Sequence, residues 1–109
     1  MEPREVVEAL GGFAGVSGAL ICDGSATILA ESGTANAGAV AAATAFVLAC
    51  GTKLGDALAL GDVLYVVAGS TQRRVGFIRG PANLVALEAS SPAAATRACQ
   101  EARVVLRER

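Results

Sequence analysis

The sequence contains no histidine and no tryptophan, and aromatic residues make up only 4% of it. The lack of histidine excludes a catalytic triad built on that residue and a metal site with imidazole ligands. The apolar residues form 53% of the chain and are mostly Ala, Val and Leu. Because these side chains are small, we expect the helices and strands to pack closely. The high apolar fraction also excludes a disordered chain.

The chain also lacks an excess of charge of either sign, since its formal net charge is −1. This balance gives no long-range field for nucleic acid or for an acidic membrane surface, so neither is expected as a partner. The basic residues are scattered except at the C-terminus, where Arg103, Arg107 and Arg109 lie close together. Because cations are favoured at a helix C-terminus, we interpret these arginines as a solvated helix end.

The three cysteines, Cys22, Cys50 and Cys99, are far apart in the sequence and odd in number. This spacing argues against a disulfide framework and against a CxxC metal site. We interpret all three as buried thiols in a reducing cytoplasm.

Targeting signals are missing as well. The first residues, MEPREVVEAL, lack the basic start and apolar core of a signal peptide. The most apolar segment, residues 35–50, is too short to predict a membrane span, and Lys53 and Asp56 soon follow it. We therefore expect a cytoplasmic protein without membrane insertion, in which residues 1–109 form a single domain.

Apolar periodicity predicts three helices and five strands in the order α-β-β-α-β-β-β-α. The first helix begins near Pro3 and ends at Gly11-Gly12, and the last begins at Ser91-Pro92 with Ser as its N-cap. The predicted strands are 16–22, 26–31, 62–68, 74–79 and 84–89, and a long helix covers about residues 35–58. Short connections at 69–72 and 80–83 join the last three strands as a meander.

Asp23-Gly24 lies between the first two strands and has two interpretations. An Asp among glycines could belong to a catalytic loop, or it could be the turn of a β-hairpin. A type I′ turn needs positive φ at both central residues, and Asp-Gly is a strong signal for it. We therefore interpret Asp23-Gly24 as a structural turn.

The long helix is apolar nearly all round, which indicates burial on more than one side. One stripe is predicted to face the domain's own sheet: Val40, Ala43, Thr44, Val47, Gly51, Leu54 and Leu58. A second face, together with apolar positions of the third strand, is predicted to form a dimer interface: Ala41, Ala45, Leu48, Thr52, Gly55, Leu64 and Val66. A third line contains Phe46 and Lys53, the candidate contacts for another partner; Phe46 could instead be a core residue.

No stretch of the sequence carries a recognisable active site. CGTKLGD has the residues of a phosphate-binding loop in the wrong order, and GGFAGVSG precedes a strand instead of following one. Glu88 could be a functional acid, although the end of a strand in water explains it as well. An arginine finger among Arg73, Arg74 and Arg79 is conceivable, but surface strand positions also suit arginine. We therefore expect no catalytic residue, no metal and no cofactor, and a binding or scaffolding role.

Several motifs together resemble the roadblock/dynein light chain family. They are GVSGALICDGSATILAESG, an alanine-rich helix and LGDVLYVVAG, and with the element order they extend over nearly the whole chain. The resemblance implies an α/β sandwich with a five-stranded antiparallel sheet in the order 2-1-5-4-3. The long helix would cover one face and the terminal helices the other.

The resemblance also implies a function. Members are typically dimers, homodimeric or formed with another roadblock-type protein, whose long helices pair and whose third strands join. They have no enzymatic centre and scaffold motor complexes or regulate small Ras-like GTPases. MglB-type members in bacteria act as GTPase-activating partners. Three hypotheses follow: a dimeric regulator of a GTPase, a structural adaptor without GTPase regulation, and a small-ligand sensor.

Overall fold

The structure is a computed structural model and describes residues 2–71 and 73–107. Gln72, in a predicted connection, and Arg109, in the predicted arginine group, lie outside the described residues. The predicted order of helices and strands is confirmed. The elements are α1 (Pro3–Gly11), β1 (Val16–Cys22), β2 (Ile28–Ser32), α2 (Ala37–Ala57), β3 (Tyr65–Gly69), β4 (Arg74–Arg79), β5 (Leu84–Ala89) and α3 (Pro92–Arg107).

The five strands form one antiparallel sheet in the order β2-β1-β5-β4-β3, as the resemblance implied. Within the described chain, β5 pairs with β1 on one side and with β4 on the other, and β3 has β4 as its single neighbour. The first and last strands of the sequence are therefore adjacent in the middle of the sheet.

Side chains of each strand alternate between two cores, one on each face of the sheet. Ile21 and Ile78 belong to the core that α1 and α3 cover, which includes Leu10 and Leu106. Leu20, Phe77 and Ala86 belong to the other core, where Ala41 and Leu48 of α2 cover the sheet. This arrangement is the predicted sandwich.

Close contact between α3 and the sheet depends on Gly76 in β4. A Cβ atom at this position would collide with the sulfur of Cys99. The α3 helix itself begins as predicted, because Ser91 Oγ accepts a hydrogen bond of 3.1 Å from the backbone N–H of Ala94.

The connection between β1 and β2 corrects the predicted type I′ turn. Asp23 O accepts from Ala26 N at 3.0 Å, and Ala26, at φ 66°, is the left-handed residue of the loop, whereas Gly24 does not have positive φ. The side chain of Asp23 accepts hydrogen bonds from Ser25 N at 2.8 Å and Thr27 N at 3.0 Å. Because the loop is longer than a two-residue turn, β2 begins at Ile28. The side chain of Asp23 stabilises this loop.

Candidate interaction surface on helix α2 and strand β3

Six residues of α2 are buried against the chain's own sheet: Val40, Ala41, Thr44, Leu48, Gly51 and Gly55. The structure places Ala41, Leu48 and Gly55 of the predicted dimer interface in this buried set. Ala41 and Leu48 belong to the α2-side core. A Cβ atom at Gly55 would lie 2.6 Å from the carbonyl oxygen of Gly61, so this glycine lets the 58–64 segment pass directly under the helix.

The other four residues of the predicted dimer interface are at least partly accessible. Ala45 and Val66 are half-buried at the edge of the α2-side core. Thr52 is exposed, and its hydroxyl donates a hydrogen bond of 3.2 Å to the carbonyl of Leu48. Leu64 is 48% exposed immediately before β3. These four remain candidate interface residues.

The outer face of α2 carries the largest exposed apolar side chains of the helix. Phe46 is 70% exposed, Leu54 is 55% exposed and Leu58, which caps the helix, is 59% exposed. With the exposed Cys50, they recur every four residues and so lie in one row, which we call the α2 ridge. The possibility that Phe46 is a core residue is thereby wrong, and Lys53 lies on the same exposed side.

The predicted sheet-facing stripe was rotated relative to the observed one. Ala43, Leu54 and Leu58 were placed on the sheet, but all three are exposed. When a helix has apolar residues on every side, its sequence only weakly indicates which face packs on the sheet. Its two charged residues, Lys53 and Asp56, indicate the orientation of the helix, because both lie on the outer face, away from the sheet.

The apolar surface continues from the α2 ridge toward β3. Leu60, which is 64% exposed, and Leu64 precede this strand. The β3 strand has an open edge, since β4 is its single neighbour among the described residues. Val66 and Val67 within it are only half-buried. An open, apolar and uncharged edge invites pairing with another strand.

Helix α2 is long and apolar. The helix has 21 residues, a mean hydropathy of 1.5 and only 28% of its most apolar window buried, so by length and composition alone it could cross a membrane. Its inner residues, however, form a core with the sheet beneath them. The outer face is the part that lacks cover.

Three of the four acidic and basic candidates around β4 and β5, namely Arg73, Arg79 and Glu88, form structural contacts. Arg73 donates two hydrogen bonds to Glu88, of 2.6 and 3.0 Å, and a third of 3.3 Å to the carbonyl of Ala35. The hydrogen bond to Glu88 raises the pKa of the Arg73 guanidinium. Arg79 donates a hydrogen bond of 3.1 Å to the carbonyl of Leu48. Glu88 is therefore an ion-pair partner, and Arg73 joins the start of α2 to the sheet.

The cysteines divide into two classes, which corrects the prediction that all three are buried. Cys22 and Cys99 are buried, whereas Cys50 is exposed on the α2 ridge. Burial raises the pKa of the Cys99 thiol to about 11. Burial, and then the charge of Asp23, raises the pKa of Cys22. Within residues 2–71 and 73–107, no three His, Cys, Asp or Glu side chains cluster as a metal site would require.

Comparisons with known proteins identify the fold. No protein-family model matches the chain, and no curated protein matches it. Several solved structures do. An MglB with a tetrameric arrangement has a TM-score of 0.71 at 19% identity, with 95% of this chain and 87% of that chain covered.

Two further structures agree. The MglB of Myxococcus xanthus has a TM-score of 0.78 at 12% identity, with 96% of this chain and 84% of that chain covered. The Roadblock/LC7 domain from Streptomyces avermitilis has a TM-score of 0.73 at 15% identity, with 98% and 99% covered. The chain has the roadblock/LC7 fold, and the resemblance seen in the sequence is confirmed at the level of the fold.

Proposed function

We propose that this chain is a roadblock-type regulatory protein of the MglB-like kind, which forms a homodimer and binds a small Ras-like GTPase. The observation that carries the proposal is the uncovered apolar surface formed by the α2 ridge and the edge of β3. The fold shared with MglB structures supports the choice of partner. The chain supplies a binding surface in this proposal, and the hydrolysis of GTP belongs to the partner.

A two-fold axis accounts for both parts of the surface, and it moves Phe46, which the sequence predicted as a contact for another partner, into the dimer interface of this proposal. In such a dimer the same patch of each copy meets its equivalent, so α2 would cover α2 and β3 would pair with β3. The exposed rings and branched side chains of the α2 ridge leave water, which favours association by roughly 25 cal/mol per Å² of apolar area. The open hydrogen-bonding groups of β3 gain partners in the same step.

The dimer is tested with matched charge substitutions on the two faces of the sandwich. Leu54 on α2 is 55% exposed, and Val104 on α3 is 47% exposed. Leu54→Glu is expected to convert the dimer to a monomer, because it buries a charge in the interface. Val104→Glu, the control, should leave the dimer unchanged. Sedimentation velocity at micromolar concentration reads both, and a wild-type monomer would contradict the proposal.

Cys50 provides an independent reading of the same interface. It is the exposed cysteine of the three, so a maleimide reagent should label it and leave Cys22 and Cys99 untouched. If α2 pairs with α2, the labelling rate falls as protein concentration rises through the dissociation constant. The rate in Leu54→Glu should not depend on concentration.

The outer face of α2 could also be covered by a lipid surface. Co-sedimentation with vesicles of neutral phospholipid separates this from dimerisation. We expect the wild-type dimer to stay in the supernatant. Binding to vesicles by a monomer, abolished in Leu54→Glu, would overturn the assignment of this face to a second copy.

The GTPase partner is tested by capture from the source organism with the immobilised dimer. We expect a Ras-like protein to be retained when the extract contains a non-hydrolysable GTP analogue and released when it contains GDP. The purified partner should then bind wild-type protein and should bind Lys53→Ala more weakly, with Arg97→Ala as a control on the far side of the sheet. Retention of other proteins alone, independent of nucleotide, would favour the structural adaptor instead.

A further inference from the structure

A cavity of about 420 Å³ lies at the C-terminal end of α2. Its walls come from the C-terminal part of α2, the 61–64 segment before β3, the turn after β4 and the C-terminal part of α3. The volume is in the range of roughly 300–1,000 Å³ that is typical of small-ligand sites. The cavity therefore has room for a small organic molecule.

Three arginines line this cavity: Arg79, Arg103 and Arg107. The single ion pair among residues 2–71 and 73–107 is Arg73–Glu88, so none of the three has a carboxylate partner there. Arg79 is held in place by its hydrogen bond of 3.1 Å to the carbonyl of Leu48, which uses one of its five N–H donors. Arg103 and Arg107 lie one helical turn apart on α3 and so face the same side.

The rest of the lining combines apolar and acidic groups. Val63, Leu64, Pro81 and Leu106 supply apolar surface. Asp56 and Asp62 also reach the cavity, and within the described chain neither is in an ion pair. Three arginines and two aspartates give the lining residues an excess of positive charge, next to surface that an apolar group could cover.

We propose that this cavity binds a small organic phosphate, with the phosphate on the arginines and the apolar body against Val63, Leu64 and Leu106. Guanidinium groups match phosphate oxygens in pairs of parallel hydrogen bonds. A phosphate monoester offers three terminal oxygens and a charge of about −1.5 to −2, more than the two oxygens of one carboxylate. It therefore suits three arginines beside two acids better than a monocarboxylate does.

This site goes beyond the proposed role of the α2 surface. Its arginines lie on β4 and α3, and neither element carries the α2 ridge. Thr52 and Leu64 belong both to the candidate dimer interface and to the lining of the cavity. Failure of dimerisation or of GTPase binding would leave the cavity and its arginines as they are, so the two proposals fail separately.

The test uses the full chain and phenyl phosphate as the probe, followed by amide chemical shifts in nuclear magnetic resonance. We expect saturable shifts at Gly61, Leu64 and Gly80 with a dissociation constant of about 1 mM or tighter. Inorganic phosphate, which lacks the apolar body, should bind at least several-fold more weakly. Phenol, which lacks the phosphate, should give no saturable shift at these amides.

Substitutions identify the arginines. Arg103→Gln is the decisive variant, because Arg103 makes no hydrogen bond within the described chain that the substitution would remove; it should weaken phenyl phosphate about tenfold or more. Arg97→Gln, on the same helix but outside the cavity, should bind as wild type does. Arg79→Gln should also weaken binding, with a thermal melt to separate loss of the ligand from loss of the contact to Leu48.

Several results would overturn the proposal. The first is no saturable shift with phenyl phosphate at about 10 mM, which is well above the expected dissociation constant. Another is equal affinity in wild type and Arg103→Gln, which would remove the arginine from the site. Binding of phenol as tight as that of phenyl phosphate would reduce the cavity to a nonspecific apolar pocket.

Discussion

Phe46→Ala distinguishes a core residue from a dimer-interface residue on α2. Truncating a core residue lowers the free energy of unfolding, whereas truncating an interface residue lowers the affinity of the dimer. Phe46 is 70% exposed, so about three-tenths of its side chain is covered within the chain. Full burial of an aromatic residue removes about 150–250 Å² from water, and the covered part is then worth about 1–2 kcal/mol. A core phenylalanine would cost about 3–5 kcal/mol when truncated to alanine.

The effect on assembly is expected to be larger than the effect on folding. If a second copy covers the exposed part of the ring, each copy loses about 3–4 kcal/mol of apolar burial in the variant. Both copies carry the substitution in a two-fold dimer. A loss of only 3 kcal/mol already raises the dissociation constant by about 100-fold. We therefore expect the variant to be monomeric at concentrations where wild type is dimeric.

Two measurements decide the matter. Sedimentation velocity over a dilution series gives the dissociation constant, and urea denaturation below that constant gives the free energy of unfolding of the monomer. Val104→Ala is the control, because Val104 is also exposed but lies on α3, on the other side of the sheet. A loss of about 3–5 kcal/mol in monomer stability would refute the reasoning, since it is the cost of a core residue. An unchanged dissociation constant would refute it as well.

Three further predictions concern stability and use chemical denaturation. Ala26→Gly should stabilise the fold by about 0.5–1 kcal/mol, because Ala26 has φ 66° and glycine has no penalty there; a loss of stability would contradict the left-handed loop residue. Gly76→Ala should cost about 1–3 kcal/mol, because the added Cβ collides with Cys99. Gly24→Ala, where an added Cβ meets nothing within 4 Å, is the control for both glycine changes and should stay within about 0.5 kcal/mol. Finally, stability should fall from about pH 9 to pH 11, because the pKa of Cys99 rises from 9.0 unfolded to about 11 folded, so the unfolded chain loses its proton first. Cys99→Ala should show a shallower fall over that window, and parallel curves for the two proteins would contradict it.

The sandwich could be predicted from the sequence because its elements are strongly patterned. Apolar runs bounded by glycines and turns place all five strands, and Ser91-Pro92 marks the start of α3 with its N-cap. The order of strands in the sheet came from the family resemblance, since periodicity alone does not say that β1 pairs with β5. The comparison structures confirm that resemblance at the level of the fold.

The rotation of α2 could not be predicted in the same way. Alanine on every side gives no contrast between faces, so the stripe that includes Leu54 looked as good as the one that includes Leu48. The glycines at 51 and 55 permit close approach of another segment, and that segment is residues 61–66 of the same chain. Contacts between segments that are distant in the sequence therefore determine how α2 is rotated about its axis.

The hairpin turn shows a different reason for error. Asp-Gly is a strong local signal, but the side chain of Asp23 captures the backbone N–H groups of Ser25 and Thr27. These two hydrogen bonds stabilise a longer loop, in which Ala26 and not Gly24 has the left-handed conformation. A dipeptide rule does not include a side chain that competes for the backbone.

The central position of β5 has a consequence for folding during synthesis of the chain. The α1 helix, the β1–β2 hairpin and α2 are synthesised first. The second neighbour of β1 in the sheet is β5, with Val16 opposite Ala89, and β5 is among the last segments to be synthesised. Until then the inner face of α2 lacks the complete sheet that covers it. A chain that ends before Leu84 contains the β1–β2 and β3–β4 strand pairs but lacks β5, which connects them in the sheet. We therefore expect the nascent protein to need shelter from aggregation until β5 emerges, and assembly to follow the completion of the sheet.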